Sequence, residues 1–517
     1  MLKKSSMNNR FIILIGSYNN EAWVSFNLDS ILTQTYKNFR VVYYNAASTD
    51  KTYQIAKTYA DKDSRINLQT TPDRRLKTWF FENSIRMEEI RDNDIVCVLD
   101  GDDFLANEEV LNYLNEVYNQ TNCWMTYGGM IVWNGEKTTE PFPQNSVPPK
   151  MVFDQKLYRK DLWRYSHMRT CRGFLWKKLT KEDYTSKYDG NYMSMCDLCT
   201  VYPFLEMCPA DKIFRVEQSI YILNTSKDNG CRSYSELQGN NLGQIYEKEI
   251  RNRPVRKELE IVTPTLAGGL GNQMFEIAAA ASLAKDNNAL LLVNPNEHIL
   301  PNQGQNINTY VTNVFAKIAF DNKPPTTNVY NWESMAYKPI PYVPNVKLGG
   351  HYQSYKYFDH NRDYIRELLT SKLCLMELGF NYHTSDTVAV HVRRGDYKKF
   401  PDHHPMQSAE YYKNAVSKSK CSEIYVFSDD VDWCKQNLVF DRPTKYFERG
   451  LDYRELYLIS TCKDIVISNS SFSWWAAYLH TRPDAQIFAP SNWYGPAILS
   501  KGEFKLEDLI PSNWNVI

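Results

Sequence analysis

The chain has 517 residues, of which 43% are hydrophobic and 23% charged, with 60 Lys and Arg balancing 60 Asp and Glu. At roughly 100–200 residues per domain that length predicts two large domains or three smaller ones, and the composition supplies apolar material for their cores. A net charge of zero excludes the electrostatic footprint of a protein whose main partner is nucleic acid or an anionic membrane, while leaving local basic clusters able to bind phosphate.

Met1 to Arg10 is short and polar, and the apolar run after it, Phe11 to Ile15, is shorter than a signal-peptide core of about 7–15 residues or a membrane span of about 20. No other uninterrupted apolar stretch reaches membrane length, so the expectation is a soluble cytoplasmic protein without signal peptide or anchor. The 11 cysteines form no Cys/His ladder with zinc spacing and read as free thiols. Phe11–Ile15 predicts a strand, and Val24, Leu28, Ile31 and Leu32 recur at helical spacing. Val41–Tyr44 is again strand-like, and Ser48-Thr49-Asp50 opens a second helix with capping residue types. A third apolar run, Ile95–Leu99, ends at Asp100-Gly101-Asp102-Asp103. Alternating strands and helices predict a parallel sheet with crossover helices, and continuous apolar runs fit strands buried on both faces.

Tyr246 to Glu260 is charged and carries a proline, so residues 246–260 read as a linker between domains at 1–245 and 261–517. A new α/β pattern follows. Ile261-Val262-Thr263 leads into Gly268-Gly-Leu-Gly-Asn-Gln273, an alanine-rich helix and a strand at Leu290–Val293. Further strand-like runs are Thr387–His391, Ile424–Phe427, Ile465–Ser468 and Ile487–Ala489.

In the first half, the acidic tetrad follows a buried strand, where open α/β sheets place their ligands. Asp100 and Asp102, one residue apart, can share a hard divalent cation with open positions for phosphate oxygens. The alternative is that they are ordinary turn residues. The series Gly16-Ser-Tyr-Asn-Asn-Glu21, Ser30-Ile-Leu-Thr-Gln-Thr-Tyr36, Ala47-Ser-Thr-Asp50 and Leu99-Asp-Gly-Asp-Asp103 resembles family-2 glycosyltransferases in order and spacing, over roughly residues 11 to 230. The resemblance implies a GT-A nucleotide-binding domain that inverts the sugar carbon and uses Mn²⁺ or Mg²⁺, with Asp102 as metal ligand and Asp100 on metal or nucleotide. It implies a nucleotide-sugar donor, expected to be UDP-linked. The chain departs from the family at Asn45-Ala46, where a pair of aspartates is usual; Asn45 remains able to hydrogen-bond a base. His167-Met-Arg169 and Met195-Cys-Asp197 are similar to the acceptor side of the family. Inversion requires a carboxylate to take the acceptor proton, and Asp197 is the candidate; it reads equally well as a helix-capping aspartate.

In the second half, the glycine-rich turn, with Gly269, Asn272 and Gln273, allows close backbone approach and opens a helix whose N–H groups suit phosphate, although strand–helix packing also explains such turns. His391-Val-Arg-Arg-Gly-Asp396 ends a strand with two arginines, and guanidinium groups bind phosphate oxygens bidentately without a metal. An internal ion pair of one arginine with Asp396 is the competing explanation. Phe427-Ser-Asp-Asp430 and Ser468-Asn-Ser-Ser-Phe-Ser-Trp-Trp475 each follow a strand; Trp474 and Trp475 read as a buried helix face. With Gly350-His-Tyr-Gln-Ser-Tyr-Lys-Tyr-Phe358, these motifs resemble family-11 α-1,2-fucosyltransferases over essentially all of residues 261 to 517. The resemblance implies a GT-B architecture of two Rossmann-like lobes, GDP-fucose as donor, no metal and inversion. It places an arginine on the diphosphate, best matched by Arg394, with Arg393 and His391 supporting. Asp429, Ser470 and Ser471 are candidate nucleotide-pocket residues, and Asp396 a candidate base.

The whole then reads as a bifunctional glycosyltransferase whose first domain adds a sugar and whose second fucosylates it at O2 of a glycan or glycoconjugate acceptor. The alternative is a fucosyltransferase preceded by a non-catalytic glycan-binding module.

Overall fold

Phe11–Ser17 forms the first strand, β1, and its apolar run is buried on both faces. In the computed structural model, which describes residues 7–138, 146–226, 242–299 and 307–517, β1 pairs in parallel with β2 (Phe39–Asn45) and with β4 (Ile95–Asp100), and β2 with β3 (Ile66–Thr70). The helices Val24–Leu32 and Thr52–Ala60 are the crossovers, and Val24, Leu28 and Ile31 pack into the core beneath the sheet. Asp50 accepts the N–H of Thr52 (2.9 Å) and of Glu21 (3.1 Å), so the Ser-Thr-Asp segment starts the second helix and pins the loop after β1. Strands β5 (Phe104–Leu105), β6 (Met125–Trp133), β7 (Arg169–Arg172) and β8 (Ile213–Asn224) complete an eight-stranded sheet in the order β3-β2-β1-β4-β7-β6-β8-β5. Direction reverses at β4–β7, which is antiparallel. The register sets Gly16 against Asp100 and Ser17 against Asn45, so the acidic turn and Asn45 share one sheet edge.

The chain divides into two units, Met1–Leu259 and Glu260–Ile517. Within the charged 246–260 segment, Tyr246 and Ile250 of the helix Leu242–Arg251 are buried. Beyond that helix, Arg253 donates to the carbonyls of Glu182, Asp183 and Thr185 (2.7–2.9 Å), and Arg256 pairs with Asp183 at 2.6 Å. The charges of this stretch therefore tie it to the first unit as far as residue 259.

The second unit contains two all-parallel sheets. One comprises β9 (Ile261–Pro264), β11 (Leu290–Val293), β13 (Ala319–Phe320), β14 (Asn328–Asn331) and β15 (Val346–Gly349), in the order β13-β11-β9-β15-β14; β10 (Leu266–Ala267) and β12 (His298–Ile299) form a parallel pair beside it. The other comprises β16 (Thr387–Val392), β17 (Glu423–Ser428), β18 (Thr444–Phe447), β19 (Asp464–Val466), β20 (Ile487–Ala489) and β21 (Asn515–Val516), in the order β18-β17-β16-β19-β20-β21. This is the two-lobed α/β architecture that the fucosyltransferase resemblance implies.

The lobes meet where the helix Leu270–Asp286 packs on the helix Ser471–Leu479. Phe275 stands 4.4 Å from Trp474 and 5.2 Å from Trp475, ring centre to ring centre, and both tryptophans are fully buried. Gly271 permits this approach, because a Cβ there would lie 2.5 Å from the backbone of Ser471 and Phe472. Among the described residues no helix is long and apolar enough to cross a membrane.

Candidate functional site

In the first unit, β4 delivers Asp100 and Asp102 half-buried to the sheet edge. Asn27 holds the turn by donating to the carbonyls of Asp100 (2.9 Å) and Asp103 (2.7 Å). Asp100 is ion-paired with Lys77. Asp103 is buried and accepts from the Tyr221 hydroxyl (2.5 Å) and the Asn224 N–H (2.8 Å). Burial, reinforced by the like charge of Asp102, pushes its carboxyl up to about 7. Three carboxyl groups crowd the four residues of this turn, and a divalent cation would relieve that crowding. Asp102 would hold such an ion, with Asp100 shared between it and Lys77. Two carboxylates leave the remaining positions to water and phosphate oxygens, which suits Mg²⁺ or Mn²⁺; among the described residues no cluster of three or more ligating side chains occurs.

Asn45 lies at the end of β2. Its amide donates to Thr70 Oγ1 (3.1 Å), and its Oδ1 is buried with no hydrogen-bond partner. Asp197 opens the helix Cys196–Met207. Arg169 Nη1 meets it at 2.8 Å, with His167 behind. Burial alone would raise the Asp197 carboxyl, but the Arg169 guanidinium holds it well below the usual carboxylate range. Burial also keeps His167 neutral, far below its ordinary value. Lys77 acts electrostatically on Asp103, His167 and Asp197 alike, so it ties the acidic turn to the Asp197 cluster. Sequence reasoning passed over Lys77, whose signal was its place in the basic run Arg74-Arg75-Leu76-Lys77.

In the second unit, a cavity of about 720 Å³ opens between the lobes at the carboxyl ends of the strands, as expected of α/β sheets. The glycine turn contributes Gly269 and Asn272, β16 contributes His391, Arg393 and Asp396, β17 contributes Asp429, and β19 leads into Ser470 and Ser471. Two helix N-termini, at Leu270 and Ser471, thus converge on one space. Ser471 Oγ donates to Asn272 Oδ1 at 2.7 Å, joining them. Gln273 turns inward instead, buried, and donates to the Gly268 carbonyl at 2.9 Å.

The two arginines part company. Arg393 lines the cavity, steered by Asp396 (2.7 Å) and Asp429 (3.1 Å). Arg394 lies behind it, outside the lining, stacked 3.8 Å over Trp433 and paired with Asp430 at 3.0 Å. The resemblance gives Arg394 the leading role; in the structure Arg393 lines the cavity and Arg394 does not, because Trp433 and Asp430 hold its guanidinium away from it. His391 is buried, with Nδ1 3.0 Å from Ser468 Oγ. Burial, with the nearby Arg393 charge, lowers it to about 4, so it is neutral at physiological pH.

Residues that sequence reasoning did not single out complete the lining, among them Trp332, His351, Gln353 and Tyr494. The motif Gly350 to Phe358, which holds His351 and Gln353, was legible, but nothing in it said which side chains face the cavity, and Trp332 and Tyr494 lie outside every motif.

The family model "Glycosyl transferase family 11" matches residues 235–517, and "Glycosyl transferase family 2" matches residues 12–181. The α-1,2-colitosyltransferase of Escherichia coli is 29% identical over 290 residues, covering 50% of this chain and 98% of that protein. Galactoside α-(1,2)-fucosyltransferase 2 of Oryctolagus cuniculus is 27% identical, covering 44% of this chain and 73% of that protein. The solved NodZ α-1,6-fucosyltransferase superposes with a TM-score of 0.31 at 11% identity, over 43% of this chain and 93% of its own.

Proposed function

Because the chain belongs to glycosyl transferase family 11 and carries a family 2 glycosyltransferase domain ahead of it, we propose that it catalyses two transfers. The second unit moves L-fucose from GDP-fucose to O2 of an acceptor sugar, and the first unit moves a sugar from a second, UDP-linked donor. The observation that supports the fucosyl reading is Arg393 facing a cavity onto which two helix N-termini open. A leaving diphosphate needs its growing charge met in place, and a pre-positioned guanidinium with helix-end N–H groups does this without reorganisation. Asp429 and Asp396 hold the guanidinium in that pose. Neutral His391 and Ser468 support the strand end behind it.

In the first unit, a divalent ion on Asp102 would neutralise the donor diphosphate. Asn45 Oδ1 offers a base its one unpartnered acceptor, and Asp197 receives the acceptor proton. The Arg169 pair favours a second reading, in which this unit binds glycan without turning over, because a carboxylate held that firmly ionised is a weak base.

The test is a screen of the full chain against UDP-sugars, GDP-fucose and GDP-colitose, with and without Mn²⁺, on a panel of free glycans headed by β-galactosides. Arg393→Ala is expected to lower fucose transfer by about 10²-fold or more and to leave the UDP-sugar reaction intact. Asp102→Ala should do the reverse. Absence of transfer from GDP-fucose on every acceptor refutes the fucosyl reading; loss of both reactions from either single change refutes two independent sites.

A further inference from the structure

Glu276 is an unexpected residue for its place. It lies within the helix Leu270–Asp286, completely excluded from solvent, among alanines and Phe275. Burying a carboxyl is costly unless its oxygens are satisfied. Both are: Oε1 meets Nδ1 of His351 at 2.9 Å, and Oε2 accepts the N–H of Ala267 at 2.8 Å. His351 is the opposite kind of residue, with its side chain 40% exposed and lining the cavity. The pair therefore runs from the core to the open space, with Nδ1 committed inward and Nε2 remaining.

Its surroundings suit a sugar. The Trp332 ring lies beside the imidazole, with centres 6.4 Å apart and planes near perpendicular, and also lines the cavity. Gly350, at a φ of +118°, makes room for it, because a Cβ there would fall 2.3 Å from Trp332 Cβ. Arg393, Asp429, Ser470 and Ser471 belong to the lobe of β16–β21, whereas Trp332 and His351 follow β14 and β15 of the other lobe, and all six line one cavity. Asp396 is committed to an ion pair with Arg393, whereas His351 still has Nε2 to offer an acceptor hydroxyl.

We propose that His351 is the general base of fucosyl transfer and that Glu276 is its positioning residue, with Trp332 as the platform for the acceptor sugar; the proposal rests on the fucosyl reading above. His351 Nε2 takes the proton of the acceptor hydroxyl as its oxygen bonds to C1 of fucose. The bond from C1 to the β-phosphate oxygen breaks, and its electron pair leaves with GDP, whose charge meets Arg393. The imidazolium is stabilised by the Glu276 carboxylate and later returns its proton to water. Burial pushes the Glu276 carboxyl up to about 7, and the hydrogen bond to His351 opposes that rise.

The experiment uses the full chain, GDP-fucose and the best acceptor of the panel. His351→Ala is expected to lower kcat by about 10²-fold or more, to leave the calorimetric Kd for GDP within about twofold, and to be partly rescued by added imidazole. Glu276→Gln is expected to lower kcat by about tenfold with little change in the acceptor KM, because it removes the charge and keeps the shape. Should the alanine variant fail to bind GDP, His351→Gln carries the same expectation. A His351 variant that binds GDP and transfers fucose within threefold of the unaltered protein overturns the base assignment alone. Failure of the unaltered protein to transfer fucose to any acceptor overturns the fucosyl reading, and this proposal with it.

Discussion

Asp103 illustrates how one residue can couple a site to stability. Burial, with the charge of Asp102, raises its carboxyl to about 7, while Tyr221 and Asn224 hold it in place. The folded chain keeps that proton up to about pH 7, whereas an unfolded aspartate releases it near pH 3.9. Between those values the folded state binds more protons, so this residue's contribution is complete below about pH 4 and is lost as the pH rises through 7. The change amounts to at most about 4 kcal/mol. Asp103→Asn keeps one acceptor for the Asn224 N–H and should flatten the pH dependence. Scanning calorimetry of both proteins from pH 4.5 to 8 is the measurement, and parallel curves would show that Asp103 is ionised in the folded state. The adjacent arginines carry a related lesson: residue type marked both, while the direction of each side chain separated Arg393, on the cavity, from Arg394, on Trp433.

At the scale of elements, the second unit depends on the helices Leu270–Asp286 and Ser471–Leu479 starting against each other. Asn272 and Ser471 are joined at 2.7 Å, and Gly271 leaves no space for a Cβ. Gly271→Ala is therefore expected to push the two N-termini apart. It should destabilise the unit by about 1–3 kcal/mol, as overpacking does, and weaken GDP binding by at least tenfold because both helix ends lose their aim. Thermal denaturation and a GDP titration measure the two effects; unchanged affinity would mean that the helix ends are not part of the nucleotide pocket. The alanine run of the longer helix predicted a helix, and Trp474-Trp475 predicted a buried face. That these two elements meet required the packing of Phe275 on both tryptophans.

For the whole molecule, the division at Leu259 and Glu260 leaves each unit with its own sheets and its own buried cluster. Residues 1–259 and 260–517, expressed separately, are each expected to fold with a cooperative transition, and the second piece should retain fucose transfer with kcat within about threefold of the full chain. Circular dichroism melting and the transfer assay test this, and an unfolded second piece would show that its core needs the first unit. A cut at residue 245 should serve worse, because Arg253 and Arg256 would lose Glu182, Asp183 and Thr185.

The leading strands of each unit, the helices between them, the acidic and arginine-bearing turns and the family resemblances were legible in the sequence, because apolar periodicity and short motifs are local properties of a chain; β3, β5–β8, β13–β15 and β18 were not read from it. The ends of the strands could be read in the same way, and with them Asp100, Asp102, Arg393 and Ser471 as candidate site residues. Only the tertiary structure decided which side chains share a space. Lys77 joins Asp100, Arg169 restrains Asp197, and His351 reaches from a buried glutamate 75 positions away in the chain. Such pairings depend on how helices and strands from distant parts of the chain are brought against one another, and no local pattern of residues encodes that distance or direction.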